Sequence, residues 1–387
     1  MFVSRGVAQT STRLLLSAND TVPDHPGFVF GPFSALAMNA KKQVAFLTTL
    51  LSPRAQLPAI GRSSGVSFSI VAFQGLVAPV PGTLFDAFGA PSINDSGAIA
   101  FYATLRSTGG ASAPSSGIFF VANGEPAAAV TSGQEASASS RLFQAFSSPV
   151  IGSSGAILFG ALTAGNPGAS GLYLWTSQGV ETVPLPAGFT LGSGELLQPV
   201  FQSENESVWL PNDESVRWAD DQLFRALAIR SFQQLNFPPD PTASVQVLAP
   251  SLDEKPVQML LVILKGTGAQ TMALQGDPTA PVMARLGAGA PTALPLNGVE
   301  SAITGALGGN IVIGSAAAAS PNDLAFYCFC NGRVNRLTQP ADFAQVSIQS
   351  SGPTIHFLTS DGQHTVAFIA PTPGQSGSNA IFVTSLP

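Results

Sequence analysis

The feature that most constrains this chain is a short pattern that returns at nearly constant intervals. The segment "NDSGAIAF" at 94–101 has the form NxxGxxAF, and related segments occur along the whole chain. They begin at Asn39, Asn94, Gly152, Gln202, Asp253, Ala306 and Asp361, at intervals of 55, 58, 50, 51, 53 and 55 residues. Periods of this length are typical of β-propeller blades and other stacked arrays. The sequence therefore predicts one repetitive domain.

Each copy predicts a tight turn followed by a buried strand. The turn position is held by Gly97, Gly155, Gly309 and Asn205 in four copies. Glycine and asparagine accept the positive φ that tight turns demand. Lys42, Pro256 and His364 hold that place in the remaining copies, so we expect their turns to differ. The motif closes on an apolar pair, such as Ala100 and Phe101, which we interpret as packing between blades.

Three further strands are predicted in each period. Proline stands three residues before the motif at Pro91, Pro149, Pro199 and Pro250, which predicts an edge strand there. After the motif strand, a third strand is predicted to end in a hairpin turn, in the segments "SIVAFQG", "GIFFVANG", "LYLWTSQG", "VRWADD", "TMALQG" and "AFYCFCNG". A short fourth strand follows. Four antiparallel strands in about 50 residues are typical of a propeller blade.

The two chain ends predict how such blades form a ring. The last segment, "AIFVTSLP" at 380–387, matches a third strand and has no fourth strand after it. The segment "TRLLLSAND" at 12–20 precedes the first inner strand and supplies the missing one. We therefore expect an all-β fold, a seven-bladed β-propeller of four-stranded antiparallel blades. Its ring closes when the N-terminal strand pairs with the last blade.

The whole chain, 1–387, is predicted to form this single domain. The predicted blades are 28–82, 83–139, 140–190, 191–234, 235–290, 291–341, and 342–387 together with 7–20.

Composition narrows the classes of partner. The chain is 45% hydrophobic with 26 phenylalanines, which argues against a disordered chain. A net charge of −6 and scattered arginines leave no basic surface, so we expect no nucleic acid as partner. The uncharged stretch at 301–322 is long enough for a membrane span, but it is rich in Gly, Ala and Ser and follows the repeat register. We therefore expect no transmembrane segment.

Few residues carry recognisable chemistry. Cys328 and Cys330 are separated by one strand residue, a poor geometry for a mutual disulfide. We interpret them as small buried side chains, with a reactive or intermolecular thiol as the alternative. His356 is predicted on the inner strand of the last blade and His364 in a turn, and the third histidine is His25 in the segment "PDHPG". No catalytic residues, bound metal or cofactor are predicted.

The densest group of charges is "NDESVRWADDQ" at 212–222. Its residues Asp213, Glu214, Arg217, Trp218 and Asp220, together with His356, are the candidate ligand-contact residues. Carboxylates on loops suit a cation, and a tryptophan suits a sugar, although the spacing of a dedicated calcium loop is absent. A pair of solvated turns is the alternative interpretation.

The repeated segment "PSINDSGAIAFYATL" and its copies resemble the NxxGxxAF tandem-repeat family of bacterial secreted or surface-attached proteins. The resemblance implies an extracellular or cell-surface location and supplies no catalytic residues. We therefore expect a noncatalytic binding or structural propeller, displayed on the cell surface, secreted, or part of a larger extracellular assembly. A protein partner or self-association is expected, with a possible cation or glycan contact. The alternative is a propeller enzyme, a lyase or glycan-acting hydrolase, with its site at the channel mouth.

Overall fold

A computed structural model shows an all-β chain. The described residues are 11–65, 67–109, 113–136, 141–165, 169–183, 196, 198–200, 206–209, 214–219, 222–228, 244–250, 260–265, 270–275, 284–285, 301–306, 310–317, 320–330, 333–346, 355–372 and 378–387. Their strands form seven antiparallel sheets of four or five strands, which we number in chain order. Among the described residues, the one helical element is the 3-10 turn Pro340–Phe343. No helix in this described part is long and apolar enough to cross a membrane.

The chain divides into two compact units. The first unit is Ala18–Ile229 and contains sheets 1 to 4, while the second is Met1–Ser17 with Arg230–Pro387 and contains sheets 5 to 7.

The strands of the first unit follow one another along the chain. Sheet 1 comprises β2 (Val29–Phe30), β3 (Ala35–Met38), β4 (Val44–Ser52), β5 (Ala55–Ser63) and β6 (Phe68–Phe73). Sheet 2 comprises β7 (Thr83–Phe88), β8 (Ser92–Ile93), β9 (Ile99–Ser107), β10 (Ser116–Val121) and β11 (Ala127–Thr131). Sheet 3 comprises β12 (Phe143–Phe146), β13 (Val150–Ile151), β14 (Ile157–Thr163), β15 (Ala169–Thr176) and β16 (Gly179–Val183). Sheet 4 comprises β17 (Gln198–Val200), β18 (Glu206–Trp209), β19 (Glu214–Ala219) and β20 (Gln222–Ala228).

The second unit repeats the plan and adds the N-terminal strand. Sheet 5 comprises β21 (Ser244–Pro250), β22 (Leu260–Lys265), β23 (Gln270–Gln275) and β24 (Ala284–Arg285). Sheet 6 comprises β25 (Ser301–Ala306), β26 (Asn310–Ala317), β27 (Ser320–Cys330) and β28 (Arg333–Arg336). Sheet 7 comprises β29 (His356–Ser360), β30 (Thr365–Pro371), β31 (Asn379–Ser385) and β1 (Ser11–Ser17).

Two of the four prolines predicted on edge strands lie in an edge strand, and the other two lie between two segments of one. Pro199 lies in β17 and Pro250 ends β21, and both strands are at the edge of their sheets. Pro91 and Pro149 lie where the edge strand is interrupted, between β7 and β8 and between β12 and β13. Because proline lacks a backbone donor, it is tolerated where one side of the strand has no partner.

Our prediction was wrong about one strand of sheet 1. We predicted "SIVAFQG" as its third strand, but this segment forms β6, the fourth, and β5 is the third. The chain reverses between Ser52 and Ala55 through Pro53 and Arg54, and the Ser52 hydroxyl accepts a bond of 3.1 Å from the Ala55 amide. The prediction relied on glycine-containing turns, whereas this reversal is made by a serine side chain and a proline.

Sheets 1, 2 and 3 pack face to face. In β9, the buried Phe101 and Ala103 belong to a core shared with sheet 1, while Ala100 belongs to a core shared with sheet 3. This division follows from the period of two, by which alternate strand residues point to opposite faces. The apolar pair that ends the motif is therefore buried on both faces, as predicted for packing between neighbouring sheets.

A triad of phenylalanine rings recurs in the first three sheets. Two rings come from an FxxF segment and the third is the motif phenylalanine. The triads are Phe30, Phe33 and Phe46; Phe85, Phe88 and Phe101; and Phe143, Phe146 and Phe159. Their ring centroids are 5.4–6.1 Å apart, the separation that edge-to-face and tilted aromatic pairs prefer.

The N-terminal strand β1 is the outer strand of sheet 7. It pairs antiparallel with β31, from Ser11 opposite Ser385 to Ser17 opposite Ala380. This is the position predicted for the N-terminal segment. A register irregularity between Leu14 and Leu16 breaks the alternation of faces, so that Leu14 is 43% exposed while Leu16 is 4% exposed.

We expect Leu16→Ala to lower the free energy of unfolding by about 3 kcal/mol, because it removes buried methyl groups from β1, the strand that completes sheet 7. The control is Leu14→Ala, the same change at the exposed position, which should stay within about 0.5 kcal/mol of the parent chain. Urea denaturation measures both. Deleting residues 1–18 should lower the melting temperature more than either substitution, and an unchanged melting temperature would show that β1 contributes nothing.

Candidate functional site

The predicted ligand-contact residues lie in two different sheets. Glu214, Arg217 and Trp218 belong to β19 of sheet 4, and His356 opens β29 at the edge of sheet 7. Asp213 and Asp220 lie outside the described residues, as do the side chains of the other four. Their role as a cation or sugar contact therefore stays a prediction.

The remaining histidines lie in loops, which was the prediction for His364. His25 packs edge-on against Phe73, with ring centroids 5.4 Å apart, and its Nδ1 lies 3.1 Å from the carbonyl oxygen of Pro23. His364 is exposed, and its Nδ1 lies 3.2 Å from the carbonyl oxygen of Pro387. Among the described residues, no group of three or more His, Cys, Asp or Glu side chains is placed to hold a metal ion.

Cys328 is completely buried and forms a disulfide bond. Our interpretation of it as a free thiol, whether buried or reactive, was therefore wrong. That interpretation rested on the spacing of an ideal strand, in which residues two apart point to the same face. The side chain of Cys330 lies outside the described residues.

The residues at the first motif position make the same side-chain hydrogen bond in three copies of the motif. Asn39, Asn94 and Asp361 are 1%, 2% and 3% exposed, although each belongs to a turn. In each one, Oδ1 accepts a 2.9 Å hydrogen bond from the backbone amide four residues later. A side-chain acceptor of this kind holds the turn closed in the way an Asx-turn does. This confirms the turn role that we assigned to the motif.

The asparagines also have a second partner that the sequence analysis missed. Asn39 Nδ2 donates to the carbonyl oxygen of Asn94 at 2.7 Å, and Asn94 Nδ2 donates to the carbonyl oxygen of Gly152 at 2.8 Å. The motif position of one sheet is thereby bonded to the same position of the next. We call this chain of bonds through Asn39, Asn94 and Gly152 the turn ladder.

Three further bonds run alongside the turn ladder. The Ala40 amide donates to Asp95 Oδ1 at 2.7 Å, and the Ile151 amide donates to Ser92 Oγ at 3.1 Å. Arg62 Nη1 donates to the carbonyl oxygen of Gly97 at 3.2 Å. Because buried backbone groups need partners, these bonds fix the register of neighbouring sheets.

The turn that contains Lys42 resembles the glycine turns, contrary to our prediction. We expected it to differ from the glycine turns, but Lys42 has φ +63° and its amide donates to the Asn39 carbonyl at 2.9 Å. Gly97, with φ +83°, makes the equivalent bond to Asn94 at 2.9 Å. The side-chain bonds of Asn39 hold Lys42 in a backbone region that a non-glycine residue adopts at a cost of about 1–2 kcal/mol.

The copy that begins at Asp361 does have a different turn, as expected. Its positive φ of +76° falls at Gly362, the second residue of the copy, and not at His364. Gly309, Asn205 and Pro256, which hold the turn position in other copies, lie outside the described residues.

In the first unit, the pKa of the Tyr173 hydroxyl is shifted. Burial raises the pKa of the Tyr173 hydroxyl above its usual value, and Arg141 and a hydrogen bond with Thr163 oppose the shift. The Tyr173 ring packs against Phe143, with centroids 4.9 Å apart. This tyrosine is therefore a neutral core residue and not a general base.

Comparison with known families adds one match. The family DUF7453, a family of unknown function, matches residues 5–185, slightly less than half of the chain. No curated protein matches the sequence.

Several solved structures resemble the fold at low sequence identity. The polysaccharide lyase Uly1 is 10% identical, with 98% of each chain covered and a TM-score of 0.49. YCF48, solved with a D1 peptide, is 12% identical, with 95% of this chain and 97% of that chain covered and a TM-score of 0.42. A family 117 glycoside hydrolase from the marine bacterium Zobellia galactanivorans is 11% identical, with 98% and 90% covered and a TM-score of 0.29.

We expect Asn94→Ala to lower the free energy of unfolding by about 3 kcal/mol, because it leaves the Ala98 amide and the Gly152 carbonyl without their side-chain partner. Asn94→Asp keeps the acceptor Oδ1 but sets an oxygen against the Gly152 carbonyl, so it should also destabilise. Asn123→Ala, at an exposed turn asparagine, is the control and should change stability by less than about 0.5 kcal/mol. Equal denaturation midpoints for Asn94→Ala and Asn123→Ala would contradict the turn ladder.

We expect Lys42→Gly to raise the free energy of unfolding by about 1 kcal/mol, because glycine adopts positive φ without the steric cost that lysine has. Lys41→Gly removes the same charge from the neighbouring exposed residue, which does not have a positive φ. That control should be neutral or destabilising. Thermal melts of the two variants distinguish relief of backbone strain from an effect of charge.

Proposed function

We propose that this chain is a seven-bladed β-propeller that acts without catalysis, as a binding or structural module outside the cell. The observation that carries the proposal is the use of the repeated residues. The motif asparagines are buried and bonded to the next sheet, and the motif phenylalanines are packed in ring triads. Residues engaged in this way stabilise the stack of sheets, which leaves recognition to the loops that differ between copies.

The order of the sheets supports the ring. Each sheet is antiparallel and built from one period of the chain, apart from sheet 7, which takes its outer strand from the N terminus. A propeller whose last blade combines both chain ends has no free blade edge at the junction, and this closure protects it against edge-to-edge aggregation.

The disulfide at Cys328 supports the proposed location. Disulfides persist in oxidising compartments such as the cell exterior and are rare in the cytosol of ordinary organisms. The resemblance of the repeats to the NxxGxxAF tandem-repeat family favours the same location. We therefore propose that the module is secreted or displayed on the cell surface and meets a protein partner or copies of itself there.

The alternative that this proposal must exclude is a lyase or glycan-acting hydrolase. The purified chain should be incubated with a panel of neutral and uronate-containing polysaccharides. Ultraviolet absorbance of unsaturated products reports a lyase, and new reducing ends report a hydrolase. We expect neither signal above that of the heat-denatured chain, and we expect the native chain in the culture medium or on intact cells. Turnover of any polysaccharide, or a chain confined to the cytosol, would contradict the proposal.

A further inference from the structure

The disulfide at Cys328 has one candidate partner within the chain. Cys328 is disulfide-bonded, and the sequence contains two cysteines, Cys328 and Cys330. Both belong to β27, which ends at Cys330. A bond between them closes a loop of three residues. So short a loop restricts the unfolded chain less than a long loop does, so this bond stabilises the fold less than an ordinary structural disulfide.

The strand around Cys328 is held in regular pairing on both sides. β27 pairs with β28 over the four consecutive residues Tyr327–Cys330, with no shift of register. On the other side, Cys328 lies opposite Val312 of β26. The side chains of Phe326, Tyr327 and Cys328 are buried. Ladder pairing and close packing therefore keep this part of β27 extended.

An extended strand and a bond between these two positions oppose each other. Residues two apart in a strand point to the same face and lie about 6.6 Å apart. The Cβ atoms of a disulfide lie about 3.8 Å apart. The bond therefore pulls against the pairing and packing of β27, and disulfides that a fold disfavours are the labile ones. We propose that Cys328 and Cys330 form a labile disulfide that exchanges with small thiols of the glutathione class.

The exchange proceeds in two steps. The thiolate of one small thiol bonds to one sulfur of the pair, the sulfur–sulfur bond breaks, and the other cysteine leaves as a thiolate. A second small thiol then attacks the mixed disulfide and releases the oxidised small thiol. Two electrons and two protons pass from the small thiols to the two cysteines. This exchange is stoichiometric, so it adds a redox response to a binding or structural module without requiring turnover.

A basic residue lies next to the pair in the ladder. Arg333 of β28 is opposite Cys330, and the Cβ atoms of directly opposed residues are about 5 Å apart. A positive charge at this range favours the thiolate form of a cysteine and so assists exchange. Arg336 is opposite Tyr327, which by the alternation of strand residues belongs to the other face of the sheet.

The first test is the pairing and its equilibrium. Peptide mapping of the unreduced full-length chain by mass spectrometry should show one bond, between Cys328 and Cys330. The chain is then equilibrated with mixtures of reduced and oxidised glutathione, both folded and in enough urea to unfold it, and free thiols are counted after alkylation. We expect the equilibrium constant for bond formation to be about tenfold lower in the folded chain. Free thiols in the unreduced chain, a bond between two copies, or a constant that is equal or higher in the folded chain overturns the proposal.

Thermal melting gives a second readout that separates a labile bond from a structural one. The reduced chain should melt at the same temperature as the oxidised chain or slightly above it, because a bond that the fold disfavours does not stabilise the fold. A reduced chain that melts more than about 5 °C lower would assign a structural role to the bond and overturn the proposal.

A matched pair of variants tests the role of the neighbouring charge. Arg333→Gln should slow the reduction of the folded chain by glutathione about threefold. Arg336→Gln removes the same charge from the other face of the sheet and should react at the rate of the parent chain. The difference should disappear in urea, where the ladder no longer exists. Equal rates of reduction for the two folded variants would overturn the assignment of Arg333.

Discussion

The hydrogen bond from a motif asparagine to a carbonyl of the next sheet is the interaction on which the register of sheets 1 to 3 depends. Asn94 is 2% exposed, and its amide side chain closes its own turn through Oδ1 and holds the Gly152 carbonyl through Nδ2. A shift of one sheet against the next would break this bond and leave the buried Asn94 side-chain amide without its acceptor. Asn94 thereby ties the local turn to the long-range register of the sheets.

The two ends of the motif have different structural roles. The polar residue at its start sets the register between sheets, and the Ala-Phe pair at its end fills the space between them. The phenylalanine contributes through ring triads, and the small alanine lets the opposite face of the strand approach the next sheet. In sheet 2, Phe101 and Ala100 belong to two different cores for this reason. A single eight-residue pattern therefore specifies both the spacing of the sheets and their alignment.

The residue at the first motif position determines which hydrogen bonds that position can make. Asparagine donates to the next sheet, glycine at 152 offers its carbonyl alone, and aspartate at 361 places an acceptor where the asparagines place a donor. Lys42 shows how much strain this arrangement tolerates, because the bonds of Asn39 hold it at positive φ. The functional differences between copies should therefore be sought at such departures and in the loops, and not in the shared residues.

Several features were predictable from the sequence because they rest on local chemistry or on period. These are the all-β class, the strand after each motif, the edge prolines and the pairing of the N-terminal segment with the last sheet.

The third strand of sheet 1 was not predictable, since its hairpin closes on the Ser52 side chain and not on a glycine. The FxxF segments were visible at the same period, but their role required ring contacts to be seen. The tertiary structure alone decided that Asn94 reaches Gly152, because that outcome depends on atoms far apart in the chain. The sequence determines where the chain turns, and packing determines what each turn touches.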